Sequence, residues 1–337
     1  MRILEAKATT KVLSGKTAAK ILGGVLLALF LIILAFLLTA FLFNRSRSKK
    51  EQTFLKDHGY LNLVSVGDHS LNVAKFGNEN GAHTIVGLSG LGVDDYSVMA
   101  RKMTACLEED NLVVFVDRAG YGLSEDTDHD MTLDFIVEDY RAALANAGLS
   151  APYILMPHSI AGAYANYWSG KYPEEIEAIL FVDGTQMSDD FYNYDPTAKI
   201  STDEKIGIYL TKLGISRFGM SDFSKATNET QQLSTALHNQ SLDSLAIASE
   251  NAFYIKNLQD AWSSLVTTDI PKLYICASWG FDTPDYNDAR QNILYPYAEK
   301  MGNCEVVLLP GDHLIYIQQP EACGQLMKEF LEKHFEN

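Results

Sequence analysis

Cysteine is scarce in this chain: Cys106, Cys276, Cys304 and Cys323 are spread over 337 positions, with no C-x-x-C pair and no Cys/His cluster. That spacing argues against a structural zinc site. It makes a buried free thiol the expectation for Cys276 in the apolar run KLYICA. Basic residues are scarce too once the N-terminus is set aside. Without the nine Lys and Arg and the single Glu5 of the first 50 positions, 18 Lys and Arg face 42 Asp and Glu, a net charge of −24. Phosphate contacts demand a basic face, so nucleic acid is excluded as an expected partner. An acidic body is also repelled by anionic lipid. Internal repeats and low-complexity tracts are absent.

Charge of either sign is missing altogether from residues 21 to 43, ILGGVLLALFLIILAFLLTAFLF. At 1.5 Å per residue these 23 positions reach about 34 Å, enough to cross a bilayer with some tilt. The apolar core of a cleaved signal peptide is about 7–15 residues followed by small residues. This run is longer and ends in the bulky AFLFNRSR, which favours an uncleaved single-pass anchor. Five basic residues precede it and four follow at Arg45, Arg47, Lys49 and Lys50, so the positive-inside rule gives no orientation. The expected organisation is a basic segment over 1–20, a transmembrane helix over 21–43 and a polar linker over 44–57. The remainder, 58–337, is long enough for a substantial core.

Past the linker, short apolar runs begin. YLNLVSV (60–66) and SLNVAKFG (70–77) flank GDH and predict a hairpin. HTIVGLSG (83–90) and NLVVFVDRAGYG (111–122) are continuous apolar runs ending in glycine, the pattern of buried strands. A helix is expected at 94–109, and another at 131–148, where apolar spacing of three and four closes at Gly148. Then follow strand 152–157, helix 160–172 and strand 176–184. After 268 the alternation resumes with strand 272–277, a helix near 286–302, strand 304–311 and a helix from Pro320 to Phe335. A hairpin followed by alternating strands and helices predicts an α/β fold with a doubly wound, mostly parallel sheet. Residues 185–268 are too long for a loop and too polar for the sheet, so they read as a helical cap between strands 6 and 7. The core is then 58–184 with 269–337.

Ligands of such sheets bind at the carboxyl ends of the strands. Ser159 stands there, in LMPHSIAG, between an apolar run and an alanine-rich helical stretch. It has two readings, an ordinary helix N-cap or a nucleophile on a tight strand-to-helix turn. The second motif carries glycines two residues away on both sides, G-x-S-x-G; here those positions hold Pro157 and Ala161. Three further motifs sit at strand ends in order: GLSGLG (87–92), DRAGYGLS (117–124), and His313 in LLPGDHLIYIQQPE.

Together these motifs resemble the α/β-hydrolase superfamily, from about residue 58 to 335. Members carry a D-R-x-G-x-G-x-S turn, a G-H-S-x-G-G elbow and a late histidine before a Pro-Glu pair. The resemblance implies that Ser159 is the nucleophile, His313 its general base, and the backbone N–H groups of Leu91 and Ile160 the oxyanion donors. It implies a serine hydrolase cleaving an ester of a small-molecule acyl substrate, with no metal or organic cofactor. The same triad also serves amidases, peptidases and C–C hydrolases, and a decayed triad would leave a small-molecule receptor. Epoxide hydrolases and haloalkane dehalogenases of this fold use aspartate at the elbow, and the serine argues against them. Two aspartates compete for the triad acid. Members most often place it after the seventh strand, where ASWGFDTPDYND offers Asp282 and then Asp285. Asp183, at the tip of the sixth strand, is the alternative, as in some lipases resembling this fold. Asp117 and Arg118 are expected to brace loops, His158 to pack, and Trp168, Trp262 and Trp279 to fill core or cap.

Overall fold

The computed structural model describes residues 15–241, 244–278 and 284–335, with the side chains of 284–291 left aside. Its eight-stranded sheet has the order β1-β2-β4-β3-β5-β6-β7-β8. The strands are β1 (Leu63–Ser65), β2 (Ser70–Gly77), β3 (Thr84–Leu88), β4 (Leu112–Asp117), β5 (Tyr153–Pro157), β6 (Ile176–Val182), β7 (Lys272–Ala277) and β8 (Cys304–Leu309). β1 and β2 form the expected hairpin and β2 runs antiparallel to β4. The remaining pairs are parallel. Every residue of β4, β5 and β7 is buried, as continuous apolar runs require when helices cover both faces of a sheet. Leu71, Val86, Val114, Leu155 and Ile179 fill one face, Ile85, Val113, Ile154 and Leu180 the other.

The helices are α1 (Gly15–Asp57), α2 (Tyr96–Met99), α3 (Arg101–Thr104), α4 (Leu133–Asn146), α5 (Ala161–Lys171), α6 (Thr202–Lys212), α7 (Glu229–Ser241), α8 (Leu245–Ser263), α9 (Pro284–Met301), α10 (Ile315–Gln318) and α11 (Pro320–Phe335). α4 opens with Thr132 accepting from the Phe135 N–H, a side-chain cap that satisfies one of the first free amides. α6, α7 and α8 occupy the segment between β6 and β7, where the long interruption of the alternation predicts an insertion.

Two expectations need correction. The single helix over 94–109 is broken into α2 and α3, and the Met103 and Leu107 N–H groups close three-residue turns on Ala100 and Thr104. The acidic run Glu108-Glu109-Asp110 at its far end opposes the helix dipole and disfavours continuation. The linker over 44–57 is instead the last third of α1, one helix of 43 residues. Tertiary contacts hold it. Glu51 is fully buried and accepts from Arg217 Nη1 at 2.8 and 2.9 Å, Asn239 Nδ2 at 2.8 Å and Gln240 Nε2 at 2.6 Å. Leu55 packs with Leu233, Ala236 and Leu237 of α7. The apolar part of α1 lies largely free of the body, with Leu27 59 % and Ile32 65 % exposed, and only its last turns, from Phe36, meet the cap. Its mean hydropathy of 3.1 and its length are sufficient to cross a membrane.

Candidate active site

β5 ends at Pro157, and the chain reverses into α5 through Ser159, whose φ is 56°. A non-glycine residue in the left-handed region costs about 1–3 kcal/mol and persists only where its surroundings over-determine it. Here the Ser159 carbonyl accepts from Gly162 N at 2.9 Å and Thr185 N at 2.8 Å, while Ala161 N donates to His158 O at 3.1 Å. Pro157 is tolerated in a central strand because pairing with β6 is interrupted there. The register runs over Tyr153 to Leu155 and resumes as a single bridge between His158 and Val182. A residue without an N–H leaves no ladder bond unmade in that gap.

His313 follows β8 in a turn braced by Asp312, whose N–H donates to Gln318 Oε1 and whose Oδ1 accepts from Leu314 N, both at 2.9 Å. Its Nε2 lies 2.8 Å from Ser159 Oγ, and its Nδ1 lies 2.7 Å from Asp183 Oδ2. A carboxylate can only accept, so Asp183 holds the proton on Nδ1 and leaves the Nε2 lone pair facing the serine hydroxyl. Asp183 is fully buried, with φ of 43°. Its N–H donates to Ile275 O at 2.8 Å and its Oδ1 accepts from Ala277 N at 2.9 Å, so β7 fixes both backbone and carboxylate. The structure thus brings Ser159, His313 and Asp183 together. Asp282 and Trp279 lie outside the described residues, and Asp285 opens α9 with its side chain among those left aside.

The loop after β3 lies on the serine. A Cβ on Gly90 would meet His158 Nδ1 at 2.7 Å and Ser159 Cβ at 2.9 Å, a separation that real Cβ atoms do not adopt. Arg118 clamps this loop from below. Its Nη1 donates to Ser89 O and Ser89 Oγ, and its Nη2 donates to Gly90 O at 2.9 Å. The Gly92 N–H donates to Tyr121 Oη at 3.2 Å. Among the described residues, no acceptor meets the N–H of Leu91 or of Ile160. Ile160 follows the serine in the chain, and Leu91 follows Gly90, which closes on Ser159.

Arg118 is itself fully enclosed and pairs with Glu250 of α8, Nε to Oε2 at 3.1 Å, with Tyr164 Oη donating to Glu250 Oε1 at 2.6 Å. The sequence reading missed Glu250. Its signal was a lone acid inside the apolar stretch LAIASENAFY, four residues after Ala246 on a buried helix face. Asp117 accepts from Leu123 N at 3.1 Å and Asn72 Nδ2 at 3.0 Å, and burial pushes its carboxyl up to about 7. Its bonds and those of Arg118 go chiefly to neighbouring loops. His158 donates from Nε2 to His313 O at 3.0 Å, and its Nδ1 meets no partner among the described residues. Burial, and then the neighbouring His313, hold His158 down at about 4, so it stays neutral. Trp168 is core, whereas Trp262 donates to Asp189 Oδ1 at 2.7 Å. Among the described residues, no three His, Cys, Asp or Glu side chains converge in a way that could hold a metal ion.

No family model matches the chain. A Bacillus subtilis protein named Uncharacterized protein YbdG is 28 % identical over 331 residues, covering 94 % of this chain and 99 % of that one. Among solved structures, a probable hydrolytic enzyme of Pseudomonas aeruginosa superposes with a TM-score of 0.58 at 18 % identity, covering 81 % of this chain and 93 % of the other. The haloalkane dehalogenase DatA of Agrobacterium tumefaciens gives 0.57 at 20 % identity, covering 81 % and 96 %. This chain has the α/β-hydrolase fold. At these identities the likeness speaks for the fold, and the argument for chemistry rests on the site.

Proposed function

We propose that this protein is a membrane-anchored serine hydrolase that cleaves an ester of a small-molecule acyl substrate. One observation carries the reading: Ser159 Oγ, His313 and Asp183 form a continuous hydrogen-bonded line, with 2.8 and 2.7 Å at its two joints. A serine hydroxyl attacks only when a base takes its proton, and the Nε2 lone pair is positioned to do so. Ser159 Oγ attacks the acyl carbon as its proton passes to His313 Nε2, and Asp183 stabilises the imidazolium. The carbonyl oxygen, now an oxyanion, accepts from the Leu91 and Ile160 N–H groups. The C–O bond to the leaving alcohol breaks as Nε2 returns the proton to that oxygen, leaving acyl-Ser159. Water then repeats the cycle on the acyl-enzyme, with His313 again taking and returning the proton, and the acid departs.

Ser159 stands where the family resemblance places the aspartate of dehalogenases, which directs the reading to acyl transfer. Residues 185–268 are the cap that selects the substrate. The apolar part of α1 holds the enzyme to the bilayer, since a run of exposed Leu, Ile and Phe has hydrocarbon as its natural solvent. The test is labelling of the full-length protein by a fluorophosphonate probe beside Ser159→Ala. Labelling that survives the substitution refutes the assignment. Esters of graded acyl length, set against the matching amides, then define the substrate class.

A further inference from the structure

The cap carries an apolar stripe of which, among the described residues, no member is buried. Ile206, Tyr209 and Leu210 of α6 and Leu213 at its C-cap follow one another at spacings of three, one and three, a single helical face about 100° wide. Glu204, Lys205 and Lys212 occupy the other side. The charged face turns to the protein at Lys212, which pairs with Asp126. Helices of globular proteins turn such stripes to the core, yet no residue of α6 is buried. Ile206, Tyr209 and Leu210 are 51, 55 and 50 % exposed, and just beyond them Ile215 and Phe218 are 38 and 51 % exposed.

The position of this stripe along α1 says what covers it. Phe218 stacks on Phe36 and on Phe43, with ring centroids 5.9 and 5.2 Å apart. Gly214 lies so close to α1 that a Cβ would meet Asn44 Cβ at 2.5 Å and Ala40 O at 2.7 Å. Phe36, Ala40 and Phe43 all belong to the uncharged run, and Phe36 lies about 10 Å along the helix axis inside its end. A membrane that contains residues 21–43 therefore reaches the level of Phe218 and the C-terminal end of α6. Arg47, just past the run, donates to Ser221 O at 2.8 Å, so the cap passes from apolar to polar surroundings at the same height as α1 does.

We infer that the α6 stripe, with Ile215 and Phe218, is seated in the bilayer that α1 crosses, at the boundary between acyl chains and headgroups. The cap is thus a second membrane contact, and it fixes the tilt of the catalytic body on the lipid surface. Insertion is apolar in origin: the body carries a net charge of −24 and gains nothing from anionic headgroups. The inference rests on the reading of α1 as membrane-spanning and is independent of the chemistry assigned to Ser159.

The experiment places p-benzoylphenylalanine at Leu210, or separately at Ile206, of the full-length protein in phosphatidylcholine vesicles. The same residue at Leu34, inside the run, and at Lys333, exposed on α11, provides the two controls. On irradiation, positions 210 and 206 should give phospholipid adducts at a yield comparable to position 34 and about tenfold above position 333, as an interfacial helix requires. A yield no greater than at position 333, or cross-linking of 210 and 206 chiefly to a second copy of the chain, overturns the inference. Absence of lipid adducts at position 34 overturns it too, by removing the membrane reading of α1. Fluorophosphonate labelling of the same samples reports separately on the active-site reading and on folding.

Discussion

Replacing Asp183 by Asn removes one charge and keeps the shape, and its effect can be worked from the hydrogen bonds around it. Oδ1 of Asp183 accepts from the Ala277 N–H at 2.9 Å, and Oδ2 faces His313 Nδ1 at 2.7 Å. An asparagine must keep its oxygen toward Ala277, because the flipped amide would set two donors against each other. Its NH2 then faces Nδ1 and donates to it. His313 is driven to the tautomer with its proton on Nε2, which points at Ser159 Oγ and can no longer accept. In a serine-protease triad the same aspartate-to-asparagine swap lowers kcat by about 10⁴, equivalent to about 5.4 kcal/mol of transition-state stabilisation. A loss of this order is expected for Asp183→Asn in ester turnover and in the rate of fluorophosphonate labelling, with little change in thermal unfolding. Asp282→Asn, measured beside it, should be mild. A loss below about tenfold for Asp183→Asn, or a larger one for Asp282→Asn, refutes the reasoning and moves the acid to the loop after β7.

Gly90→Ala places a methyl against His158 and Ser159; turnover of the best ester should fall by about 10²-fold or more as the oxyanion donors shift, and an unchanged kcat would refute the close approach. Glu250→Ala leaves the Arg118 guanidinium buried without its counter-charge. Thermal unfolding in detergent should register a loss of about 3–5 kcal/mol, and one below about 1 kcal/mol would mean that the pair is not buried as described. His158 sits at about 4 in the folded chain against its ordinary 6.5. As pH falls the unfolded chain binds that proton first, so the stability this group contributes is complete above about pH 6.5 and drains away toward pH 4, by about 3 kcal/mol. His158→Gln should remove that part of the slope between those two pH values, and parallel curves would contradict it.

The strands and helices of the core were legible because their signals are local. Continuous apolar runs ending at glycine mark β3 and β4, and spacing of three and four marks α4. From the alternation of elements follow the doubly wound sheet and the place of the insertion, and the apolar run of α1 was visible from the absence of charge alone. Ser159, His313, Leu91 and Ile160 stood out as candidates because a parallel sheet delivers strand ends to one edge, and each stands just past such an end. Other features depend on contacts between residues far apart in the chain. Asp183 and Asp282 both follow strands, and chain order with the usual place of the acid after the seventh strand favoured Asp282. Asp183 reaches His313 because β6 pairs with β7 in a register that sets Val182 beside Ile275 and lets the Ala277 N–H aim the carboxylate. The helical continuation of α1 through residues 44–57 is set by Arg217, 166 residues from Glu51. The breaking of 94–109 into α2 and α3 likewise overrode an apolar periodicity that by itself supported one helix. Glu250 acquires its role only when α8 is laid over Arg118. Periodicity and turn chemistry are carried by neighbours in sequence; charge pairing and the aim of a side chain belong to neighbours in space, and only the folded chain supplies those.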